Sequence, residues 1–333
     1  MKEAPLMLGQ PERTAPRLLL DQRVPMRDGV ELSADVYLPP EGAGPWPAIL
    51  QRTPYDNTAE LWLKIAVYFA KQGYAFVSQD VRGRCDSDGV WEPFVNEGPD
   101  GHDTIVWTGE QAWCNGKVGM MGGSYGGFVQ WVAAKERPPY LSALVSTAAA
   151  GRWLEELPYR FGVYAPYWMF WLNLVGGRSQ QQPVHANPEV PDWPRIFTHR
   201  PLRDLDQALG RTNTVWRKWL QHRTFDDYWR QISLIGHFTS IDLPVLHITG
   251  WFDGDQWGEL HYWHGMLNES SASDRQWLLS GPWDHAGTRS PRQQLGGRDF
   301  GPSALVDINA VHLRFFDRWL RGIDNGAERD RRV

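Results

Sequence analysis

Lys117-Val-Gly-Met-Met-Gly-Gly-Ser124-Tyr-Gly-Gly127 sets a serine inside G-x-S-x-G, directly behind a short apolar run and ahead of a helix-like segment from Phe128 to Lys135. This is the layout of a strand-turn-helix elbow. Glycines at 122 and 126 permit a strained turn that lifts the serine oxygen above a sheet. Two later stretches supply partners. Leu243-Pro-Val-Leu-His-Ile-Thr-Gly-Trp-Phe-Asp253 reads as a buried strand ending in a loop carboxylate, and Gln276-Trp-Leu-Leu-Ser-Gly-Pro-Trp-Asp-His285 as another ending in histidine. Asp284 competes for the role of the acid. Neighbours on extended chain point to opposite sides, however, which favours Asp253.

Around these stretches strand and helix signals alternate. Residues 17 to 38 form an opening hairpin about Asp28-Gly29, with Val30, Leu32, Ala34 and Val36 on one face. Strands are expected at 47–51, 74–78, 118–121 and 141–146, with helices at 61–72 and 103–111. Such alternation implies a mostly parallel central sheet with helices on both faces, and the order Ser, Asp, His makes it an α/β-hydrolase. From 151 to 240 the pattern turns aromatic and helix-like, broken by Pro183, Pro188, Pro191 and Pro194. Residues 1–150 and 241–333 are therefore expected to form the core, and 151–240 an inserted helical cap. Residues 286–303 read as loop, 306–321 as a helix and the tail from Glu328 as solvated.

Composition narrows the class. With 333 residues and 42% hydrophobic content, the chain can bury a large core. A net charge of -5 with scattered Lys and Arg excludes a basic surface for nucleic acid. No signal-like or membrane-spanning run stands out, so the cytoplasm is the expected compartment. The two cysteines, Cys85 and Cys114, read as free thiols.

The chemistry follows from residue types. A serine hydroxyl becomes a nucleophile when a base takes its proton, and imidazole does so near neutral pH. Ser124 is the expected nucleophile, His285 its base, and Asp253 the group that holds the imidazole. The Tyr125 backbone N–H is one oxyanion donor. The early loop Gln51-Arg-Thr-Pro-Tyr55-Asp56 lacks a glycine-rich donor, so the Tyr55 phenol is the expected second one. No metal or cofactor is needed. Glu259, His261 and His264 share a helix in the wrong order for a zinc motif and read as a solvated face, while His247 reads as a core histidine. Arg82 and Asp86 are expected to fix the loop after the third strand by ion pairing and backbone hydrogen bonds.

Arg52-Thr-Pro-Tyr55-Asp56, Gln79-Asp-Val-Arg82-Gly83, Ser87-Asp-Gly89, Gly101-His-Asp103, Glu110-Gln-Ala-Trp-Cys-Asn-Gly116, the elbow, Gly250-Trp-Phe-Asp253-Gly and Gly281-Pro-Trp-Asp-His285 together resemble the cocaine esterase and X-prolyl dipeptidyl peptidase family of α/β-hydrolases. The likeness runs from about residue 20 to 326 and is faint through the cap. It implies a serine esterase or amidase using the triad and donors named above. In that family a segment like Trp319-Leu-Arg-Gly-Ile-Asp-Asn-Gly326 leads into a β jelly-roll domain. Here it lies almost at the end, which implies a homo-oligomer or a β-domain partner covering exposed cap surface.

Asp255, two residues past the triad acid, stands where the cocaine-cleaving member carries an aromatic. A carboxylate there favours a cationic acyl group, as in the α-amino-acid ester hydrolase branch. Trp153, Trp168 and Phe252 are expected pocket walls; Glu155 or Glu156 is a candidate second acid, with a solvated surface role the preferred reading for both. The expected function is hydrolysis of carboxylic esters, or activated amides, of aromatic or amino-acid-like acyl groups through an acyl-enzyme. The alternatives are an X-prolyl dipeptidyl peptidase and a weakly active core that needs a partner.

Overall fold

In the computed structural model, residues 15–179 and 191–333 are described. The chain opens with β1 (Arg17–Pro25), β2 (Glu31–Leu38) and β3 (Trp46–Thr53), followed by α1 (Glu60–Lys71) and β4 (Ala75–Asp80). Then come α2 (Glu97–Glu110), β5 (Cys114–Gly123), α3 (Tyr125–Lys135) and β6 (Leu141–Thr147). Between β6 and the next sheet strand lie a short hairpin of β7 (Tyr159–Arg160) and β8 (Val163–Tyr164), and the helices α4 (Tyr167–Val175), α5 (Trp193–Phe197), α6 (Leu205–Ala208), α7 (Thr214–Gln221) and α8 (Asp227–Arg230). The sheet resumes with β9 (Val245–Gly250), α9 (Gln256–Glu269) and β10 (Gln276–Gly281); a hairpin of β11 (Gln294–Leu295) and β12 (Arg298–Asp299) and the helix α10 (Ile308–Arg321) follow.

Eight strands form one sheet in the order β1-β2-β4-β3-β5-β6-β9-β10. From β4 onward every pairing is parallel, while β1 and β2 are antiparallel. This is the α/β-hydrolase sheet expected from the sequence. Period-two alternation serves both faces. Ala48, Leu50, Val77 and Met120 pack toward α2, α3 and α9, whereas Ile49, Phe76, Met121 and Val145 pack toward α1 and α10.

Several local expectations change. α2 begins at Glu97, six residues before the expected start, because Gly98, Pro99 and Gly101 disguise its first turns. Gly101 earns its place through close approach, since a β-carbon there would lie 2.6 Å from Ala133 Cβ of α3. The hairpin β7–β8 turns through Phe161 and Gly162 at φ 50° and 82°. A phenylalanine in a left-handed turn position hid that signal. The tail is solvated as expected, with residues 329–333 exposed, yet it is tethered: Arg318 pairs with Glu328 at 2.9 Å, and the Leu278 N–H of the edge strand β10 donates to Arg332 O at 2.7 Å. Both cysteines are free.

Candidate active site

Ser124 joins β5 to α3 with φ 61° and ψ −122°, a conformation costly for any residue with a side chain. The turn around it can be that tight because Gly122 has φ +150°, and a β-carbon there would come within 2.7 Å of Gly126 O. Ser124 N–H donates to Thr147 O at 2.9 Å, and its carbonyl accepts from the N–H groups of Gly127 and Phe128. Among the described residues the Tyr125 N–H has no backbone acceptor, so it is free to serve a ligand.

The Tyr125 side chain locks the elbow from below. Its hydroxyl donates to Glu97 Oε1 at 2.6 Å and accepts from Phe94 N–H at 2.9 Å. Glu97 in turn pairs with the fully buried Arg52 at 2.9 Å, and Arg52 Nε donates to Gln79 Oε1 at 2.7 Å. Burial and the Glu97 charge hold the Tyr125 phenol far above its usual range. It stays protonated.

The loop after β3 carries Tyr55, whose N–H donates to Thr53 Oγ1 at 3.0 Å. The Tyr55 hydroxyl accepts from Trp171 Nε1 at 3.1 Å, which leaves the phenol proton to point elsewhere. Burial pushes this phenol up to about 12. It is therefore a donor at every working pH.

Past β9, Asp253 is shielded from solvent and its Oδ1 lies 2.7 Å from His285 Nδ1. Asp284 turns away to Arg292 at 2.6 Å, in line with the alternation argument. Asp255 Oδ2 lies 3.8 Å from the same imidazole nitrogen, and its N–H donates to Asp253 Oδ1 at 3.0 Å. Burial pushes the Asp255 carboxyl up to about 6; His285 opposes this shift and Asp253 adds to it.

Ser124, Tyr55, Tyr125, Asp255 and His285 line one cavity of about 280 Å³, walled by Phe94, Leu157, Tyr167, Trp168 and Trp171. Its floor holds a second acid. Glu156 is 3% exposed, against the expected surface role, because its carboxylate accepts from the N–H groups of Gly151 (2.9 Å), Arg152 (3.0 Å) and Gly258 (3.1 Å). Burial first, then the Asp255 charge, push it up to about 8. Glu155 does point outward, to Arg152.

Two expected wall residues lie elsewhere. Trp153 packs beneath the site, stacked 5.5 Å from Trp229, with its indole donating to Ile232 O at 3.1 Å. Phe252 is half exposed and tilts against Phe300 outside the cavity. The solvated reading of the α9 face holds for the exposed His264 but fails for Glu259. Glu259 is fully buried between His247 Nδ1 (2.8 Å), Ser146 Oγ (2.8 Å) and Ala149 N–H (2.9 Å), and His247 is a core histidine as expected. Arg82 binds Asp100 at 2.6 Å and Asp28 at 2.8 Å, fixing its loop.

The sequence reading missed Trp171 and Arg289, and it named Glu156 as a candidate acid while preferring a surface role for it. Arg289 lies against the elbow, where a β-carbon on Gly123 would come within 2.5 Å of Nη1. Burial pushes its guanidinium down while Tyr55, Asp253 and Asp255 hold it up. Aromatic density near 171 was the one signal for Trp171, and Arg289 had none. Among the described residues no group of three or more His, Cys, Asp or Glu is placed to hold a metal ion, and no helix is long and apolar enough to cross a membrane.

Residues 28–287 match the X-Pro dipeptidyl-peptidase (S15) family. The chain belongs to that family. As a member it is 33% identical over 329 residues to the cocaine esterase of Rhodococcus sp. (strain MB1 Bresler), covering 90% of this chain and 54% of the relative. An α-amino acid ester hydrolase structure superposes with a TM-score of 0.79 at 26% identity, covering 97% of this chain and 57% of that one. An aminopeptidase from the marine sediment archaeon Thaumarchaeota archaeon shares the fold, with a TM-score of 0.77 at 21% identity over 97% of this chain and 57% of that one. The chain thus spans about half the length of the curated relatives it matches.

Proposed function

We propose that the protein is a serine hydrolase that cleaves carboxylic esters of aromatic or amino-acid-like acyl groups through an acyl-enzyme. The observation that carries the reading is Ser124 on a strained elbow, sharing one cavity with a His285 whose far nitrogen is held by Asp253. As Ser124 Oγ attacks the ester carbonyl, His285 Nε2 takes its proton, and the carbonyl oxygen becomes an oxyanion accepting from Tyr55 O–H and Tyr125 N–H. The C–O bond to the alcohol then breaks and His285 returns the proton to the leaving oxygen. Water repeats the sequence on the acyl-enzyme.

The substrate class follows from the walls. A mostly aromatic cavity of about 280 Å³ suits one ring-sized acyl group, and Asp255 faces it with a charge that favours an ammonium. Phe161, Val163 and Trp251, each more than half exposed, support a covering second copy or β domain as part of the same proposal. The family match also favours a second reading, release of dipeptides ending in proline. Ser124→Ala should abolish turnover of p-nitrophenyl esters; retained turnover would refute the nucleophile. Cleavage of Gly-Pro-anilide faster than of the esters would establish the peptidase reading instead.

A further inference from the structure

Arg84 is 0% exposed, yet no carboxylate lies within ion-pair distance of it among the described residues. The fold can pair a buried arginine, as Arg52 with Glu97 demonstrates. Arg84 instead spends its donors on two carbonyls. Its Nε donates to Pro54 O at 2.8 Å, and its Nη1 donates to Gly177 O. Nη2 has no partner. An unpaired cation held this way is costly, and such costs persist where they set the geometry of a site.

The two carbonyls belong to the two sides of one hydrogen bond. Pro54 immediately precedes Tyr55, which lines the cavity. Gly177 lies two residues beyond α4, the helix that carries Trp171, and the Trp171 indole is the donor to the Tyr55 hydroxyl at 3.1 Å. The guanidinium also stands over Trp91, 5.2 Å from the ring centroid, and Trp91 packs 5.6 Å from Trp171. Next to it, Cys85 N–H donates to Arg178 O at 2.6 Å, fastening the same stretch of chain. One side chain thus fixes the backbone under the phenol and the helix that orients it.

We propose that Arg84 is a positioning residue that aims the Tyr55 hydroxyl at the oxyanion by tying the Tyr55 loop to α4. The inference rests on the reading of Tyr55 as an oxyanion donor. Lysine could keep the charge but has no planar fork with which to hold two separate carbonyls, so Arg84→Lys is not a silent change.

A double-mutant cycle on a p-nitrophenyl ester separates the inference from the reading beneath it. Tyr55→Phe should lower kcat by about a hundredfold with KM little changed. Arg84→Met should lower kcat about tenfold in the parent chain and less than about twofold in the Tyr55→Phe background. Trp171→Phe, which removes the indole donor from the other end, should show the same dependence on Tyr55. An unchanged kcat in Tyr55→Phe would sink the oxyanion reading and this inference with it. A real loss there, with Arg84→Met costing the same factor in both backgrounds, would overturn the role of Arg84 alone. Thermal melts identify variants that fail to fold; should Arg84→Met be one, Arg84→Lys takes its place in the cycle with the same criterion.

Discussion

Replacing Asp255 with asparagine should remove a preference for acyl groups bearing an ammonium, and the size of the effect follows from the cavity. An ammonium about 4 Å from the carboxylate gains roughly 4 kcal/mol at an effective dielectric of about 20. Stripping water from that ammonium returns about half. A net of about 2 kcal/mol corresponds to roughly 30-fold in kcat/KM. The assay compares a phenylglycine ester with the matching phenylacetate ester. Asparagine also withdraws a charge 3.8 Å from His285 Nδ1, which slows both substrates together, so the ratio isolates the ammonium contact. The ratio should also depend on pH. It climbs as Asp255 loses its proton near pH 6, and declines once the substrate amine, with a pKa of about 8, becomes neutral. Glu156, protonated until about pH 8, adds its charge too late to prevent that decline. An unchanged ratio in Asp255→Asn would refute the ammonium site.

Two further outcomes concern stability. His312 is buried with both ring nitrogens unpartnered among the described residues, and burial pushes it down from 6.5 to about 4. Its neutral form is the folded form, so this contribution is complete above pH 6.5 and is lost as pH falls toward 4, by about 3 kcal/mol in all. His312→Phe should resist thermal unfolding better than the parent at pH 4.5 relative to pH 7.5, and parallel curves would refute the assignment. Glu97→Gln leaves the Arg52 charge buried without its partner and should cost about 3 kcal/mol. A melting temperature within a degree of the parent would show that the brace beneath the elbow is dispensable.

The sheet was legible because its strands are short apolar runs bounded by turn residues, and the elbow because only glycines tolerate φ +150° beside a strained serine. Asp253 and His285 were legible because each closes such a run. The cavity walls were legible only in part: Trp168 lines the cavity as expected, whereas Trp153 and Phe252 do not. Aromatic residues at helical spacing look alike whether they face a cavity, as Trp168 and Trp171 do, or a neighbouring indole, as Trp153 does. Glu156 misled for a related reason. Its three amide donors come from residues 151, 152 and 258, so the group that stabilises its burial is assembled partly across a hundred residues of sequence. Arg84 offered no local sign, since its acceptors at 54 and 177 are brought together only by the packing of α4 on the loop after β3.

Every step of the proposed hydrolysis needs Ser124 as the nucleophile, and intact-mass spectrometry of the chain treated with a fluorophosphonate, which phosphonylates an activated serine, reads that nucleophile out. One adduct per chain, mapped to the peptide containing Ser124 and absent in Ser124→Ala, is the predicted result. Stoichiometric labelling that survives the substitution, or that maps to another residue, would contradict it.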